Sequence, residues 1–502
     1  MILRDYQHRA LESVERGWST HQRQLGVAAC GAGKTILFSH IANRQPGRTL
    51  ILAHREELIK QAAHKLHAAT GQHAAIEMGG KTCVPGAKIT IASIQTMRSR
   101  VRKYPSDWFD LIIADEAHHS VSDEWKSVIS NFPGARVLGV TATPDRADAR
   151  ALGGFYQAIA FEISLLQLIG DGHLAPLRSL RLGVEIDMRA IRLSRSRRKI
   201  TDDEAAEMID PALDEIARAA AEHMRDRKTL VFLPRCDVSE KFAQALRSHW
   251  INARHVSGES SDRGNTLAWF ARETRGSALC NAMLLTEGYD QPDVDCILCL
   301  RPTQSRALYC QIIGRGTRTA PGKSNCLILD PLWLSGEINL CQPADLTAPT
   351  KLHREKLQAA LNDGLDLLAA EDRAKSDVEA DLAKRLEESA RSNKKAPRGM
   401  VDPLTWAIGL HDSDLSEYEA VFPWEEEPPT DRQRAELTAA GLWSDADMTR
   451  GFATKLLERV AARKALKLAT PKQVMLLRKF KHPFADTLTQ AQAGMEIGKL
   501  IR

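Results

Sequence analysis

Short apolar runs alternate with amphipathic stretches along roughly the first two-thirds of the chain. Short, fully apolar runs are typical of strands buried on both faces of a parallel sheet, and apolar residues three or four positions apart are typical of covering helices. The alternation continues from Leu25 to about Val140 and again from Leu177 to about Leu329. It predicts an α/β protein with two parallel-sheet lobes in tandem.

The last third of the chain follows a different pattern. Residues 359–392 alternate charges on a helical pattern with little apolar content, which predicts a long exposed helix and then a linker at 393–399. Farther on, cap and core residues recur with a period of 40: Thr430, Gln433, Leu437, Ala453, Leu457 and Val460 become Thr470, Gln473, Leu477, Ala493, Ile497 and Leu500. Each copy begins with a threonine cap, which predicts two related helical units.

These patterns divide the chain into five predicted segments. They are a first lobe at 1–160, a hinge at 161–176, a second lobe at 177–335, a charged helix and linker at 346–400, and a mainly α-helical region containing the repeat at 401–502.

Charge is distributed unevenly although the net charge of +5 is mild. Residues 401–449 carry twelve acidic and two basic residues, whereas residues 450–502 carry twelve basic and three acidic ones. The basic end could bind nucleic acid or a protein partner, or could be a structural cap. Residues 189–199 hold six basic residues and no acid, which suits either a phosphate-gripping segment or a solvated loop.

Composition changes little else. No apolar run reaches eighteen residues, and the first residues do not resemble a signal peptide, so we expect a cytoplasmic protein without a membrane partner. The nine cysteines are dispersed. Cys296 and Cys299 lack a second pair at zinc spacing and are expected to be buried thiols.

The most specific chemical signal is the loop at residues 28–35, AACGAGKT, between a predicted strand and a predicted helix. Its turn would cradle a β-phosphate with backbone N–H groups, its lysine would reach the β/γ oxygens, and its threonine would bind Mg²⁺. In chain order these residues are Gly31, Ala32, Gly33, Lys34 and Thr35. Ala28 stands where this motif prefers glycine.

A carboxylate pair supplies the second half of a nucleoside-triphosphate hydrolysis site. Asp115 and Glu116 directly follow the apolar strand predicted at 109–114. The carboxyl ends of parallel strands are where open α/β sheets bind ligands. Asp115 suits Mg²⁺, and Glu116 can polarise the attacking water.

With these motifs in this order, the chain resembles superfamily 2 helicases of the DEAH type, in the branch shared by type III restriction motor subunits and nucleotide-excision-repair helicases. The resemblance runs from Leu3 to about Asp330. It implies two RecA-like lobes, ATP with Mg²⁺ bound between them, and nucleic acid lying across both.

The resemblance implies further roles in the first lobe. Gln7 would read the adenine edge, with Arg4 nearby. Thr141 and Thr143 would couple the ATP site to the nucleic acid. Four residues would hold the nucleic-acid backbone: His54, Arg55, Gln95 and Thr96.

In the second lobe the resemblance implies a phosphate contact for Arg235 and ATP contacts for Gly288 and Asp290. Three more residues are expected within two helical turns of one another at the lobe interface: Gln311, Arg315 and Arg318. The two arginines would act as fingers on the γ-phosphate, so that hydrolysis requires the lobes to close.

These observations predict an ATP-dependent nucleic-acid motor, and the resemblance favours a DNA helicase that moves 3′ to 5′. Three alternatives stay open: a duplex translocase of a restriction or defence complex, an ATP-switched nucleic-acid clamp, and an RNA helicase.

Overall fold

The apolar runs of the first lobe form a seven-stranded parallel sheet in the computed structural model of the protein. Its strands are β1 (Arg23–Ala28), β2 (Thr49–Ala53), β3 (Ala75–Glu77), β4 (Ile89–Ser93), β5 (Leu111–Asp115), β6 (Arg136–Thr141) and β7 (Ala158–Ile163). They lie in the order β3-β4-β2-β5-β6-β1-β7. The central strands are buried throughout, which explains why they are apolar without alternation.

The structure describes residues 3–54, 56–80, 86–120, 122–142, 152–189, 200–258, 260, 262–286, 289–334, 340–348, 350–391, 400–410, 415, 418, 426–443, 448–480, 482 and 484–501.

The helices that accompany this sheet include α1 (Asp5–Gly17), α2 (Lys34–Arg44), α3 (Glu56–Thr70), α4 (Ile94–Arg100), α5 (Asp123–Ile129) and α6 (Leu165–Gly170). The last of them lies in the segment predicted as the hinge. Its N-cap is Ser164, whose hydroxyl accepts a hydrogen bond from the N–H of Gln167.

The second lobe is a six-stranded parallel sheet in the order β10-β11-β9-β12-β13-β8. Its strands are β8 (Leu177–Asp187), β9 (Lys228–Phe232), β10 (Asn252–Val256), β11 (Ser277–Asn281), β12 (Cys296–Cys299) and β13 (Cys326–Leu334). Its described helices are α7 (Asp202–Ile209), α8 (Leu213–Met224), α9 (Cys236–Ser248), α10 (Arg263–Arg272) and α11 (Arg306–Ile313). Two tandem parallel-sheet lobes confirm the predicted fold class.

The charged segment at 359–392, predicted as one long helix, contains parts of two helices. They are α12 (Lys351–Asn362) and α13 (Leu367–Arg391). Gly364 separates them with φ of +87°, a left-handed conformation that ends a helix. The second helix also has a buried side at Leu367, Ala370 and Ala374. The predicted linker at 393–399 lies outside the described residues.

The C-terminal region is helical, as predicted. Its described helices of seven or more residues are α14 (Pro403–Gly409), α15 (Asp431–Ala439), α16 (Arg450–Ala465), α17 (Pro471–Lys479) and α18 (Gln490–Leu500). The first residues of α15 and α17 are 40 positions apart, and Thr430 and Thr470 each form a capping box with the glutamine three residues on.

The chain divides into two compact units. One contains residues 1–347 and 358–370, and the other contains residues 348–357 and 371–502. The second unit has its own apolar core, in which Trp406, Leu437 and Leu477 are buried. Within the described part of the chain, no helix has the length and apolar character needed to cross a membrane.

Candidate active site

The predicted phosphate loop connects the end of β1 to the start of α2. Gly31 and Gly33 have φ of +88° and +76°, in the left-handed region that favours glycine. A Cβ at Gly33 would lie 2.6 Å from Nε2 of Gln7. Ala28 is a buried strand residue, so the departure from the usual motif lies in β1 rather than in the turn.

Helix α1 holds this loop in place. The Tyr6 hydroxyl and the Gln7 side-chain amide donate hydrogen bonds to the carbonyl of Ala32, at 3.1 and 3.0 Å. The Gln7 Oε1 accepts from the N–H of Arg4 at 3.0 Å. The Gln7 amide is therefore already engaged within the chain, next to the phosphate loop. Adenine reading by Gln7 and Arg4 stays a prediction.

Three charged side chains converge beside the loop. Lys34 Nζ lies 3.4 Å from Glu116 Oε1, and both side chains are largely buried. Asp115 ends β5 and is 8% exposed. Burial and the neighbouring Glu116 raise the pKa of Asp115 to about 7. Burial is the largest single influence on Lys34 and lowers its pKa, but Glu116, Cys30 and Asp115 together outweigh burial, so the pKa is raised.

Glu116 has an unusual backbone conformation, with φ of 52° and ψ of 60°. A non-glycine residue held there is strained by about 1–3 kcal/mol, and such strain concentrates at functional sites. The conformation turns the chain sharply after β5 and brings the carboxylate of Glu116 to Lys34.

This donor set fits Mg²⁺. Two buried carboxylates, Asp115 and Glu116, lie beside one ammonium group, and burial, followed by the charge of Glu116, raises the pKa of Asp115. Thr35, half-buried in the first turn of α2, is the hydroxyl donor next to Lys34. Oxygen ligands of this kind are those that Mg²⁺ prefers.

The second lobe contacts the phosphate loop directly. A Cβ at Gly31 would lie 3.1 Å from Oγ1 of Thr317, and a Cβ at Gly314 would overlap that of Cys30. The carbonyl of Thr317 accepts a hydrogen bond from the N–H of Ala175 at 2.7 Å. The segment 314–317 thus packs against the phosphate loop, with Gly314 next to Cys30 and Thr317 next to Gly31.

The two candidate arginine fingers follow α11 rather than lying on it, which corrects the expectation of one continuous helix. That helix ends at Ile313, and Gly314 is its C-cap. A Cβ at Gly316 would overlap Cys326 Sγ in the core of the lobe. Gln311 remains on the helix and is buried.

Both guanidinium groups bind the segment 286–290 of their own lobe. Arg315 donates to the carbonyls of Thr286 and Tyr289, at 2.8 and 2.7 Å. Arg318 Nη1 lies 2.8 Å from Asp290 Oδ1. Asp290 thus pairs with a finger residue in this conformation. Gly288 lies outside the described residues.

Sequence reasoning missed two residues of this site. Lys65 on α3 lies 3.5 Å from Asp290, so this ion pair joins the two lobes, and burial lowers the pKa of Lys65. Cys30 packs at Gly314. A lysine on an amphipathic helix carries no distinguishing signal, but a cysteine inside a phosphate loop could have been singled out.

The candidate nucleic-acid residues of the first lobe lie at the carboxyl ends of neighbouring strands. Gln95 donates to the carbonyl of His54 at 3.3 Å, and the ring of His54 lies 4.7 Å from that of His119. The Thr96 hydroxyl bonds to that of Ser93, the N-cap of α4, at 2.8 Å.

The other candidates are more scattered. Thr141 ends β6 and is buried. Arg235 is paired with Asp203 and Asp237, each at 2.9 Å, so a phosphate would have to displace an acid. Arg55, Thr143 and most of the basic segment, residues 190–199, lie outside the described residues.

Comparison with known proteins gives two family matches. Residues 1–146 match the family described as "Type III restriction enzyme, res subunit", and residues 209–320 match "Helicase conserved C-terminal domain". Each match falls in one of the two lobes.

Two yeast proteins are similar over both lobes. Over 356 residues the chain is 31% identical to the ATP-dependent helicase IRC3 of Saccharomyces cerevisiae, covering 66% of this chain and 51% of that protein. Over 347 residues it is 33% identical to the mitochondrial ATP-dependent helicase irc3 of Schizosaccharomyces pombe, covering 65% and 57%. The chain thus spans a little over half the length of these relatives.

A solved structure supports the fold. The ATP-dependent Type ISP restriction-modification enzyme LlaBIII, bound to DNA, superposes with a TM-score of 0.55 at 17% identity. The match covers 97% of this chain and 43% of that one.

Proposed function

We propose that this chain, which belongs to the superfamily 2 helicases in the branch of restriction motor subunits and excision-repair helicases, hydrolyses ATP between its lobes and thereby moves along DNA. The observation that carries this proposal is the contact of segment 314–317 with the phosphate loop. This contact brings groups from both lobes to the phosphate loop, as is required of an ATPase whose lobes must close for hydrolysis.

Each group has a defined task in this proposal. The loop N–H groups and Lys34 would bind the phosphates. Thr35 and Asp115 would hold Mg²⁺, which when bound neutralises charge on the β/γ oxygens. Glu116, fixed by its backbone turn, would orient the attacking water and accept its proton.

The finger residues would act after a change of partners. In the conformation described, Arg315 and Arg318 bind the segment 286–290. A γ-phosphate is a stronger acceptor than a backbone carbonyl, so bound ATP would draw the guanidinium groups toward it. Hydrolysis would release them, and the lobes would then be free to separate.

We propose DNA as the polymer, with RNA as the alternative. LlaBIII, which shares the fold, is bound to DNA in its structure. His54, Gln95 and Thr96 offer polar groups at one sheet edge, suited to backbone contact without sequence readout. The match of the first lobe to a restriction subunit favours duplex translocation as the second candidate function.

The experiment is an ATPase assay with no polymer, single-stranded DNA, duplex DNA or RNA, combined with strand displacement on tailed duplexes. Stimulation by DNA with displacement supports the helicase. Stimulation by duplex without displacement, but with removal of a third strand from a triplex, supports the translocase. Stimulation by RNA alone would refute the DNA assignment, and stimulation without displacement or translocation would leave only an ATP-switched clamp.

The cytoplasmic location also stays a prediction, because the S. pombe relative is named as mitochondrial. Imaging of a fluorescent fusion in the native host tests it.

A further inference from the structure

A groove of about 560 Å³ opens among the helices of the C-terminal unit. Its lining includes Leu457 and Val460 of α16, the end of α15 and the start of α17. Trp406 of α14 also lines it. The groove belongs to neither the ATP site nor the candidate nucleic-acid edge, so its role is independent of the proposed function.

Two hydrogen-bond donors in the lining lack acceptors. Among the described residues, neither the indole N–H of Trp406 nor Nε of Arg463 has a hydrogen-bond partner, although both atoms are buried. The rest of the Arg463 guanidinium is fixed, since it donates to the carbonyls of Asp486 and Ala469 at 2.8 and 3.2 Å. A buried donor without an acceptor lowers the stability of a fold. A ligand that brings oxygen acceptors would satisfy both.

The rim of the groove is basic. Lys464 and Lys467 are exposed there, and Glu436 is the one acidic residue among the described lining residues. Lys467 has φ of 54°, a left-handed conformation in which glycine is usually found.

We propose that this groove binds a short acidic peptide segment of a partner protein, in which an apolar anchor residue is flanked by carboxylates. The anchor would pack on Leu457 and Val460, the peptide oxygens would accept from Trp406 and Arg463, and the carboxylates would face Lys464 and Lys467. Nucleic acid fits less well, because Trp406 is the one aromatic residue among the described lining residues and the other apolar walls are aliphatic, which leaves no further platform for base stacking. Charge complementarity and the unsatisfied donors both favour an anionic, acceptor-rich peptide.

The test is fluorescence anisotropy with the full-length protein. The probe is a short fluorescein-labelled peptide in which a leucine–phenylalanine pair is flanked by aspartates. We expect saturable binding that weakens with salt. The same peptide flanked by lysines should not bind. Failure of the acidic peptide to saturate, or equal binding of both peptides, would overturn the proposal.

Variants assign the binding to the groove. Lys464→Glu combined with Lys467→Glu should weaken peptide affinity by about tenfold or more, since like charges then face each other. Ala461→Trp, at an exposed position of the lining, should block the groove without disturbing the core. Lys479→Glu is the matched control, because Lys479 is exposed on α17 outside the lining. Equal affinity in the rim and control variants would contradict this site.

Two further measurements distinguish a peptide from nucleic acid as the occupant of the groove. The indole N–H resonance of Trp406, assigned by its absence in Trp406→Phe, should shift when the peptide is added. A labelled oligonucleotide should bind the rim variant and the wild type alike. If the rim variant instead loses oligonucleotide binding while the peptide leaves the Trp406 resonance unmoved, the groove is a nucleic-acid site and the proposal is wrong.

Discussion

Gly314 allows the second lobe to reach the phosphate loop, so Gly314→Ala tests whether that approach is needed for ATP hydrolysis. The added methyl would overlap the Cβ of Cys30 and lie 2.8 Å from the carbonyl oxygen of Cys310. Nonbonded carbon atoms pack at about 3.5–4.0 Å. The loop cannot yield easily, because Tyr6 and Gln7 hold it through Ala32.

The overlap is therefore relieved by moving segment 314–317 away from the loop by about 1 Å. A displacement of about 1 Å at a reacting centre can lower the rate by about a hundredfold. We expect kcat for polymer-stimulated ATP hydrolysis to fall by about this factor in Gly314→Ala. Nucleotide affinity, measured with a fluorescent ATP analogue, should stay within a few-fold, because the phosphate loop is intact.

Gly264→Ala is the matched control. It introduces the same methyl group in the same lobe, with no heavy atom within 4 Å of the new Cβ apart from its own helix and chain neighbours. A second background sharpens the test, because Cys30→Gly removes the Cβ that causes the overlap. Gly314→Ala should be clearly less harmful there. If Gly314→Ala lowers kcat equally in both backgrounds, or leaves it within about twofold of the wild type, the reasoning is wrong.

Three further predictions concern charge. Lys34→Ala should abolish both ATP binding and turnover, whereas Glu116→Gln should abolish turnover alone; equilibrium binding beside steady-state kinetics separates the two, and loss of binding in Glu116→Gln would contradict its role. Arg318→Ala should keep nucleotide affinity within a few-fold and lower kcat by about 10³, and an unchanged kcat would exclude it as a finger. Burial raises the pKa of Asp330 to about 7, although Trp333 donates a hydrogen bond to it. The stability linked to its protonation is present below about pH 4 and lost as pH rises through about 7, so Asp330→Asn should gain up to about 2 kcal/mol relative to wild type between pH 5.5 and 8. Thermal unfolding of both proteins at several pH values measures this gain, and parallel curves would refute it.

The lobes were predictable because their strands are buried on both faces. The strand that ends at Asp115, for example, is apolar up to that residue. The polar residue at the end of such a strand then marks the edge of the sheet where the candidate active site lies. The phosphate loop was predictable for a related reason. Its glycines have positive φ, so few other residue types could stand at those positions.

Other features depend on contacts that no local pattern encodes. The end of α11 before Arg315 follows from the approach of Gly314 to Cys30, which lies in the other lobe. The break at Gly364 is a single residue inside an otherwise helical charge pattern. The ion pair between Lys65 and Asp290 joins residues more than two hundred positions apart.

In these contacts, the approach of the two lobes is a separate event from the movement of the arginine side chains to the phosphate. Gly314 already touches the phosphate loop, yet the guanidinium groups of Arg315 and Arg318 remain bonded to the segment 286–290. The two lobes can therefore be in contact while both guanidinium groups are still bound within their own lobe. In the proposed mechanism, bound ATP would change the partner of these two guanidinium groups, since the contact between the lobes is already made. In that mechanism Asp290 would compete with the γ-phosphate of bound ATP for Arg318 and would slow hydrolysis until Arg318 exchanges partners.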